Sequence, residues 1–258
     1  MVQPYVTSSS IDPNVGILKV DDINGKPIAT LWNFAIHGVC WGPDNMEFSS
    51  DIMGGACDNI EALGGGVALF MNADAGDISP NGDACAGKPD YAGAHTIANT
   101  VMASRSDTPT YTVGHIATST NTDYFGHIVA NWTLAREFNC TEGGPFSICT
   151  ICDLLHCKLN LKGGEGWSEE TPRFTGFRFT LGEKETLFVS IPGEALFELG
   201  QEIRSDGASL GYDQTFLMGY SNNYLQYFAT SDEYQVCNES FLHSNAILLS
   251  FAYYLLAY

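Results

Sequence analysis

The chain alternates between short apolar runs and turns that are rich in glycine, proline and asparagine. Apolar runs bounded by such turns are typical of β-strands. The pattern predicts strands at residues 16–20, 28–36, 67–72, 110–119, 174–181, 187–191 and 216–220. Residues 28–36 and 67–72 are nearly apolar throughout, which predicts that both strands are buried. The Asn24-Gly25 step predicts a tight hairpin between the first two strands.

Three segments between the strands are predicted to be helical, at residues 51–63, 91–103 and 195–204. Ser49 or Ser50 is the expected N-cap of the first helix, and the three glycines at residues 64–66 are expected to end it. The third helix is expected to begin at Pro192-Gly193-Glu194, because the helix dipole favours a carboxylate in the first turn.

Strands, helices and hairpins in this order predict an α/β fold, a mixed β-sheet flanked by helices. The 258 residues, of which 45% are hydrophobic, suffice for a packed core, and a single domain over residues 1–258 is predicted. The apolar stretch at residues 246–258 is shorter than the ~18 residues of a membrane span. We therefore expect it to be a buried helix and expect no transmembrane span.

The charge balance narrows the set of partners. The chain has 30 Asp and Glu residues against 11 Lys and Arg residues, a formal net charge of −19. Nucleic acid and anionic lipid are both bound through basic surfaces. The composition therefore argues against a nucleic-acid partner and against electrostatic adhesion to anionic membranes.

Cysteines and glycosylation motifs predict a secretory compartment. The chain has eight cysteines and Asn-x-Ser/Thr motifs at Asn131, Asn139 and Asn238. Disulfides persist in oxidising compartments, so we expect a secreted or cell-surface glycoprotein. Cys57 or Cys85 is expected to link the neighbouring loops. The pattern Cys149-x-x-Cys152 with His156 and Cys157 resembles a zinc cluster in spacing, but disulfides are favoured there.

Three apolar strands end in polar turns that contain glycine, at His37-Gly38, residues 76–79 and residues 192–194. Strand ends that meet at one edge of a sheet are where α/β enzymes build their sites. His37 and Glu194 are suitable ligands for a catalytic zinc with an open position. Ser79, in a tight turn before Pro80, is suited either to attack a carbonyl or to orient water. Each turn also has an ordinary structural interpretation, and spacing alone does not choose between them.

Five ordered segments resemble the neutral (non-lysosomal) ceramidase family, which hydrolyses the amide bond of ceramide. They are residues 32–38 (WNFAIHG), 42–51 (GPDNMEFSSD), 72–81 (NADAGDISPN), 191–204 (IPGEALFELGQEIR) and 219–234 (GYSNNYLQYFATSDEY). The resemblance extends over about residues 4–236. Five motifs in the same order are far more specific than any one of them.

The resemblance implies a role for individual residues. His37, Glu194 and Tyr227 would be zinc ligands, with Tyr224 in place of Tyr227 if the register differs, and Ser79 would be the catalytic serine. The implied reaction is zinc-assisted amide hydrolysis of a ceramide-like lipid substrate. Whether the serine attacks or positions the water is left open.

The chain also departs from the family pattern. The family carries an upstream His-x-His motif that supplies one zinc ligand, and this sequence has no His-x-His. A companion chain with the N-terminal part of the domain is therefore expected to provide it. The family's C-terminal immunoglobulin-like domain and a further active-site tyrosine, expected near residues 235–240, are also missing. The alternative is a degenerate ceramidase-like glycoprotein with a structural or assembly role in a surface complex.

Overall fold

The computed structural model describes residues 11–42, 45–111, 114–121, 173–224, 227–230 and 246–248. Its strands are β1 (Gly16–Asp21), β2 (Pro27–Phe34), β3 (Val67–Asn72), β4 (Gly114–Asn121), β5 (Phe174–Leu181), β6 (Lys184–Ser190), β7 (Glu194–Ala195), β8 (Gln214–Met218), β9 (Tyr227–Ala229) and β10 (Ala246–Leu248). Its helices are α1 (Asp51–Ala62), α2 (Ala92–Asp107) and α3 (Phe197–Ser209). Mixed sheets with packed helices confirm the predicted α/β class. The single domain over residues 1–258 stays a prediction.

The first sheet has the order β1-β2-β3. β1 and β2 form the predicted antiparallel hairpin, and Gly25 in its turn has a φ of 79°. β2 is central, as its apolar sequence predicts, and it pairs with β3 in parallel. The prediction that β3 is buried is wrong, because Val67 is 57% exposed and Leu69 is 48% exposed. Successive side chains of a strand point to opposite faces of the sheet. Ala68 and Phe70 of β3 face the packed helices, whereas Val67 and Leu69 lie on the open face.

Helices α1 and α2 cover one face of this sheet. Their apolar side chains pack with Trp32 of β2, which is fully buried, and with Ile17 and Phe70 at the edges. The N-terminus of α1 is bound by Ser49 rather than by Ser50, since the Ser49 hydroxyl accepts the Asp51 N–H at 3.0 Å. α1 ends before Gly64, whose φ of 85° is left-handed, as the glycine run predicts.

The second sheet has the order β4-β5-β6-β8. β5 and β6 form an antiparallel hairpin, and β8 lies parallel to β6. Helix α3 packs against this sheet through Leu199 and Ile203, which contact a core of aliphatic and aromatic side chains. The four predicted strands of this part exist, although β4 begins at Gly114 and β6 begins at Lys184.

The third sheet is a short parallel group with the order β10-β9-β7. It corrects two predictions. Glu194 lies in β7, and α3 begins only at Phe197, because the backbone of β7 is used to pair with β9. Ala246–Leu248 is a strand that pairs with β9, not part of a helix.

A disulfide joins Cys40 to Cys85 and ties the loop after β2 to the loop before α2. The expected role of Cys85 in linking loops is therefore confirmed, whereas Cys57 is a free, half-buried thiol. The cysteines of residues 149–157 and the three glycosylation motifs lie outside the described residues. Among the helices that the structure describes, none has the length and apolar character to cross a membrane.

Candidate functional site

Residues at the ends of β2, β3 and β8 line one cleft. Its volume is about 500 Å³, and its polar lining includes His37, Tyr220 and Ser221. Met53, Phe70 and Met71 are its apolar lining residues. Of the three polar turns that are predicted to converge, the one at His37-Gly38 lines this cleft, and the turn after β8 is an additional contributor.

The His37 ring is oriented by a single backbone carbonyl. The Ile78 oxygen lies 2.8 Å from Nδ1 and also accepts the His37 backbone N–H at 3.2 Å. Because a carbonyl only accepts, Nδ1 carries the proton. The other ring nitrogen, Nε2, is thereby directed at Glu194, whose Oε2 lies 2.9 Å away.

The Glu194 carboxylate is buried, with 5% of its side chain exposed against 21% for His37. Tyr224 donates its hydroxyl to Glu194 Oε1. Tyr227 lies opposite Glu194 in the parallel pairing of β7 with β9. A buried carboxylate and the Nε2 lone pair of a neutral imidazole repel each other at this distance. A proton or a metal cation between them relieves that repulsion.

Tyr220 is a site residue that the sequence interpretation missed. Its hydroxyl lies 3.3 Å from His37 Nε2, and its ring stacks on that of Tyr224 with centroids 6.0 Å apart. Its φ of 56° is rare for a bulky residue and is typical of functional turns. The detectable signal is a neighbouring glycine near a strand end: Gly219 precedes Tyr220 after β8, and Gly38 follows His37 after β2. The left-handed backbone itself is not visible in sequence.

Burial and the Glu194 carboxylate raise the pKa values of the three neighbouring phenols. A hydrogen bond to Glu194, with burial, raises the pKa of Tyr224 to about 12. Burial, and then the charge of Glu194, raises the pKa of Tyr220 and that of Tyr227. All three hydroxyls are therefore hydrogen-bond donors in the metal-free chain.

Ser79 lies at the edge of this group. It is exposed and directly follows Ile78, the residue whose carbonyl orients His37. Within the described part of the chain, the side chains of His37 and Glu194 are hydrogen-bonded to one another and to tyrosine hydroxyls. The Ser79 side chain makes no such bond to either residue. The structure thus brings His37, Glu194 and the tyrosines together and leaves Ser79 beside them along the loop.

The donor set fits part of a zinc site. Imidazole nitrogen and carboxylate oxygen are zinc ligands, and a metal-ligating histidine commonly donates its other N–H to a carbonyl, as His37 does to Ile78. A bound dication also deprotonates a coordinating phenol such as that of Tyr227. Within the part of the chain that is described, no group of three or more His, Cys, Asp and Glu side chains is placed to hold a metal. Two such ligands and the tyrosines are therefore an incomplete set.

Sequence comparison finds a relative that shares one segment of the chain. No family model matches the chain. Neutral ceramidase B of Dictyostelium discoideum is 34% identical over 82 residues, which cover 28% of this chain and 11% of the relative.

The fold gives a longer match. The crystal structure of neutral ceramidase from Pseudomonas aeruginosa superposes with a TM-score of 0.58 at 19% identity, covering 87% of this chain and 42% of that one. The chain therefore shares its fold with part of this neutral ceramidase. A structure described as ceramidase complexed with C2 superposes with the same TM-score of 0.58 at 18% identity, over 90% of this chain and 45% of that one. The chain thus spans less than half the length of either ceramidase structure, and the predicted resemblance is confirmed.

Proposed function

We propose that this neutral ceramidase-like chain forms part of a zinc-dependent amide hydrolase site. Its substrate would be ceramide, cleaved to sphingosine and a fatty acid. One observation carries the proposal: His37 Nε2 and Glu194 Oε2, from residues 157 positions apart, lie 2.9 Å from each other beside a cleft. Such convergence of a buried carboxylate and an oriented imidazole favours a catalytic site over a purely structural role.

His37, Glu194 and Tyr227 are the proposed zinc ligands, with Tyr224 as the alternative phenol. When bound, zinc supplies Lewis-acid polarisation of the substrate carbonyl or activation of a water. The Ile78 carbonyl keeps the His37 ring in position by accepting a hydrogen bond from Nδ1–H. The Ser79 hydroxyl either attacks the amide carbonyl or orients the attacking water.

The cleft supports a lipid substrate. Its lining combines the apolar side chains of Met53, Phe70 and Met71, which are suited to an alkyl chain, with the polar groups of His37 and Tyr220. A substrate with an amide between polar and alkyl parts matches this mixed lining.

A companion segment would complete the site. A catalytic zinc usually has three protein ligands. Within the described residues, no group of three His, Cys, Asp or Glu side chains is placed to hold a metal, so a tyrosine would have to be counted to reach three. From the resemblance to neutral ceramidase, we infer that a companion segment with the N-terminal part of the domain supplies a further histidine. The Cys40–Cys85 disulfide supports placing the assembled protein in the secretory pathway.

The test is zinc content and ceramide turnover of the unsplit native protein and its variants. We expect wild type to retain zinc and hydrolyse ceramide. His37→Gln and Glu194→Gln are expected to weaken zinc affinity at least about tenfold. His95→Gln is the matched control, because His95 is an exposed histidine that is also paired with a carboxylate, that of Asp90.

Ser79→Ala separates chemistry from metal binding, since it is expected to keep zinc and lose turnover. Wild-type protein that binds no zinc, or equal zinc affinity in the His37 and His95 variants, would overturn the proposed function.

A further inference from the structure

Residues 76–78 connect the two segments that carry His37 and Glu194. The Gly76 N–H donates to the Ala195 carbonyl at 2.9 Å. The next residue, Asp77, accepts the Phe197 N–H on its Oδ1 at 3.0 Å. The residue after that, Ile78, holds the His37 ring through its carbonyl. Three successive residues thus bind the glutamate segment on one side and the histidine on the other.

Asp77 performs a capping function for a distant helix. Leu196 stands at the N-cap position of α3 and gives no side-chain cap bond. The carboxylate of Asp77, 120 positions earlier in the chain, satisfies the first N–H of α3 instead. A negative charge there is also favoured by the helix dipole. The start of α3, two residues after β7, is therefore tied to the loop that orients His37.

The absence of a side chain at Gly76 allows the loop of residues 76–78 to lie close to the strand that carries Glu194. A Cβ at this position would lie 2.9 Å from the Ala195 oxygen and 3.0 Å from the Glu194 oxygen. Both are backbone atoms, which do not move aside as a flexible side chain does. Any larger residue would separate the loop from the strand that carries Glu194.

We infer that Asp77 is a positioning residue, which couples the orientation of His37 to the segment of Glu194 through the bridge of residues 76–78. Its importance for catalysis rests on the proposed function. The bridge itself is a property of the metal-free chain and is measurable without zinc or substrate.

The test is NMR of the full chain with ¹⁵N-labelled histidine, in the absence of metal. The His37 Nδ1–H, hydrogen-bonded to Ile78, is expected to exchange slowly with water, and His37→Gln assigns its signal. Asp77→Ala removes the cap and is expected to speed that exchange about fivefold, as the loss of one capping bond implies. Asp77→Asn keeps an acceptor oxygen and is expected to restore the wild-type rate.

Asp213→Ala is the matched control, because Asp213 also accepts a backbone N–H, from Glu185 at 2.8 Å, in the hairpin region. It is expected to leave the His37 signal unchanged. If Asp77→Ala does not fold, Asp77→Gln, which displaces the acceptor by one methylene, replaces it. An unchanged His37 exchange rate in a folded Asp77→Ala or Asp77→Gln chain overturns the bridge. An intact bridge in a protein that binds no zinc overturns the proposed function alone.

Discussion

The two regions that build the site are each stabilised internally by apolar packing, whereas directional polar bonds join them where they meet. The histidine region comprises β1, β2, β3, α1 and α2, with His37 after β2, and the glutamate region comprises β5, β6, β7, β8, β9 and α3. Each has its own apolar core, around Trp32 in the first and around Leu217 and Phe228 in the second.

Several contacts between the regions are polar and directional. Arg204 of α3 forms a bidentate ion pair with Asp74, which is fully buried, at 2.9 and 2.5 Å. The Asn33 amide donates to the Leu217 carbonyl at 2.8 Å, and the Gly219 N–H donates to the Asn72 carbonyl at 2.9 Å. Apolar packing tolerates small shifts, whereas such bonds require defined positions. Hydrophobic burial thus stabilises each region internally, whereas directional polar bonds also join the two regions.

Breaking the ion pair between the regions is expected to have the largest effect. Arg204→Met leaves the Asp74 carboxylate buried without its partner, which is expected to cost about 3–5 kcal/mol of unfolding free energy. Urea denaturation measures the loss. The control is Arg178→Met, because Arg178 pairs with Glu185 on the surface and 53% of its side chain is exposed. That change is expected to cost less than about 1 kcal/mol. Equal losses in both variants would contradict a special role for polar bonds between the regions.

Removing the disulfide tests the histidine region alone. The double change Cys40→Ser and Cys85→Ser is expected to lower the unfolding free energy by about 2–4 kcal/mol, because the unfolded chain gains freedom. Guanidinium denaturation under oxidising conditions is the measurement, with Cys57→Ser, a change at a free thiol, as the control. A wild-type chain whose stability does not change when it is reduced would argue against this contribution.

Asn33→Ala removes one amide that joins both regions. The Met71 and Leu217 carbonyls lose a buried donor, which is expected to cost about 1–3 kcal/mol. Asn59→Ala removes an amide that bonds only within α1, to Gly55, and is expected to cost less than about 1 kcal/mol. Differential scanning calorimetry compares the two variants. A larger loss of unfolding free energy for Asn59→Ala than for Asn33→Ala would contradict the importance of the polar bonds between the two regions.

The smallest expected effect concerns the pH dependence of Asp77. Burial, with repulsion from Asp74 and Glu198, raises the pKa of its carboxyl despite the bond from Phe197. A raised folded-state pKa means that the folded chain binds this proton more tightly than the unfolded chain. Wild type is therefore expected to gain stability relative to Asp77→Asn as the pH falls through that raised pKa, with the full gain below the ordinary value of 3.8.

Urea denaturation at a series of pH values measures this difference. Stability curves of wild type and Asp77→Asn that stay parallel from neutral to acidic pH would show that the carboxyl is not perturbed in this way.

The site could be predicted only in part. The sequence predicts His37 and Glu194 as ligands of one metal because both follow apolar runs and because the ordered motifs resemble neutral ceramidase. It predicts a helix start at Glu194, since a Pro-Gly-Glu turn looks the same whether the next residues form a helix or a short strand. It predicts no role for Tyr220, because neither the left-handed backbone of that residue nor its approach to His37 is visible in local sequence.

Local pattern by itself determined most strands, the three helices and the α/β class, because apolar periodicity and turn chemistry act between near neighbours. Only the tertiary structure decided that Glu194 pairs with Tyr227, that Asp77 caps α3 and that Ile78 orients His37. These contacts join residues that are far apart in sequence, and their geometry depends on how two separately packed cores meet. No property of either segment alone specifies that arrangement.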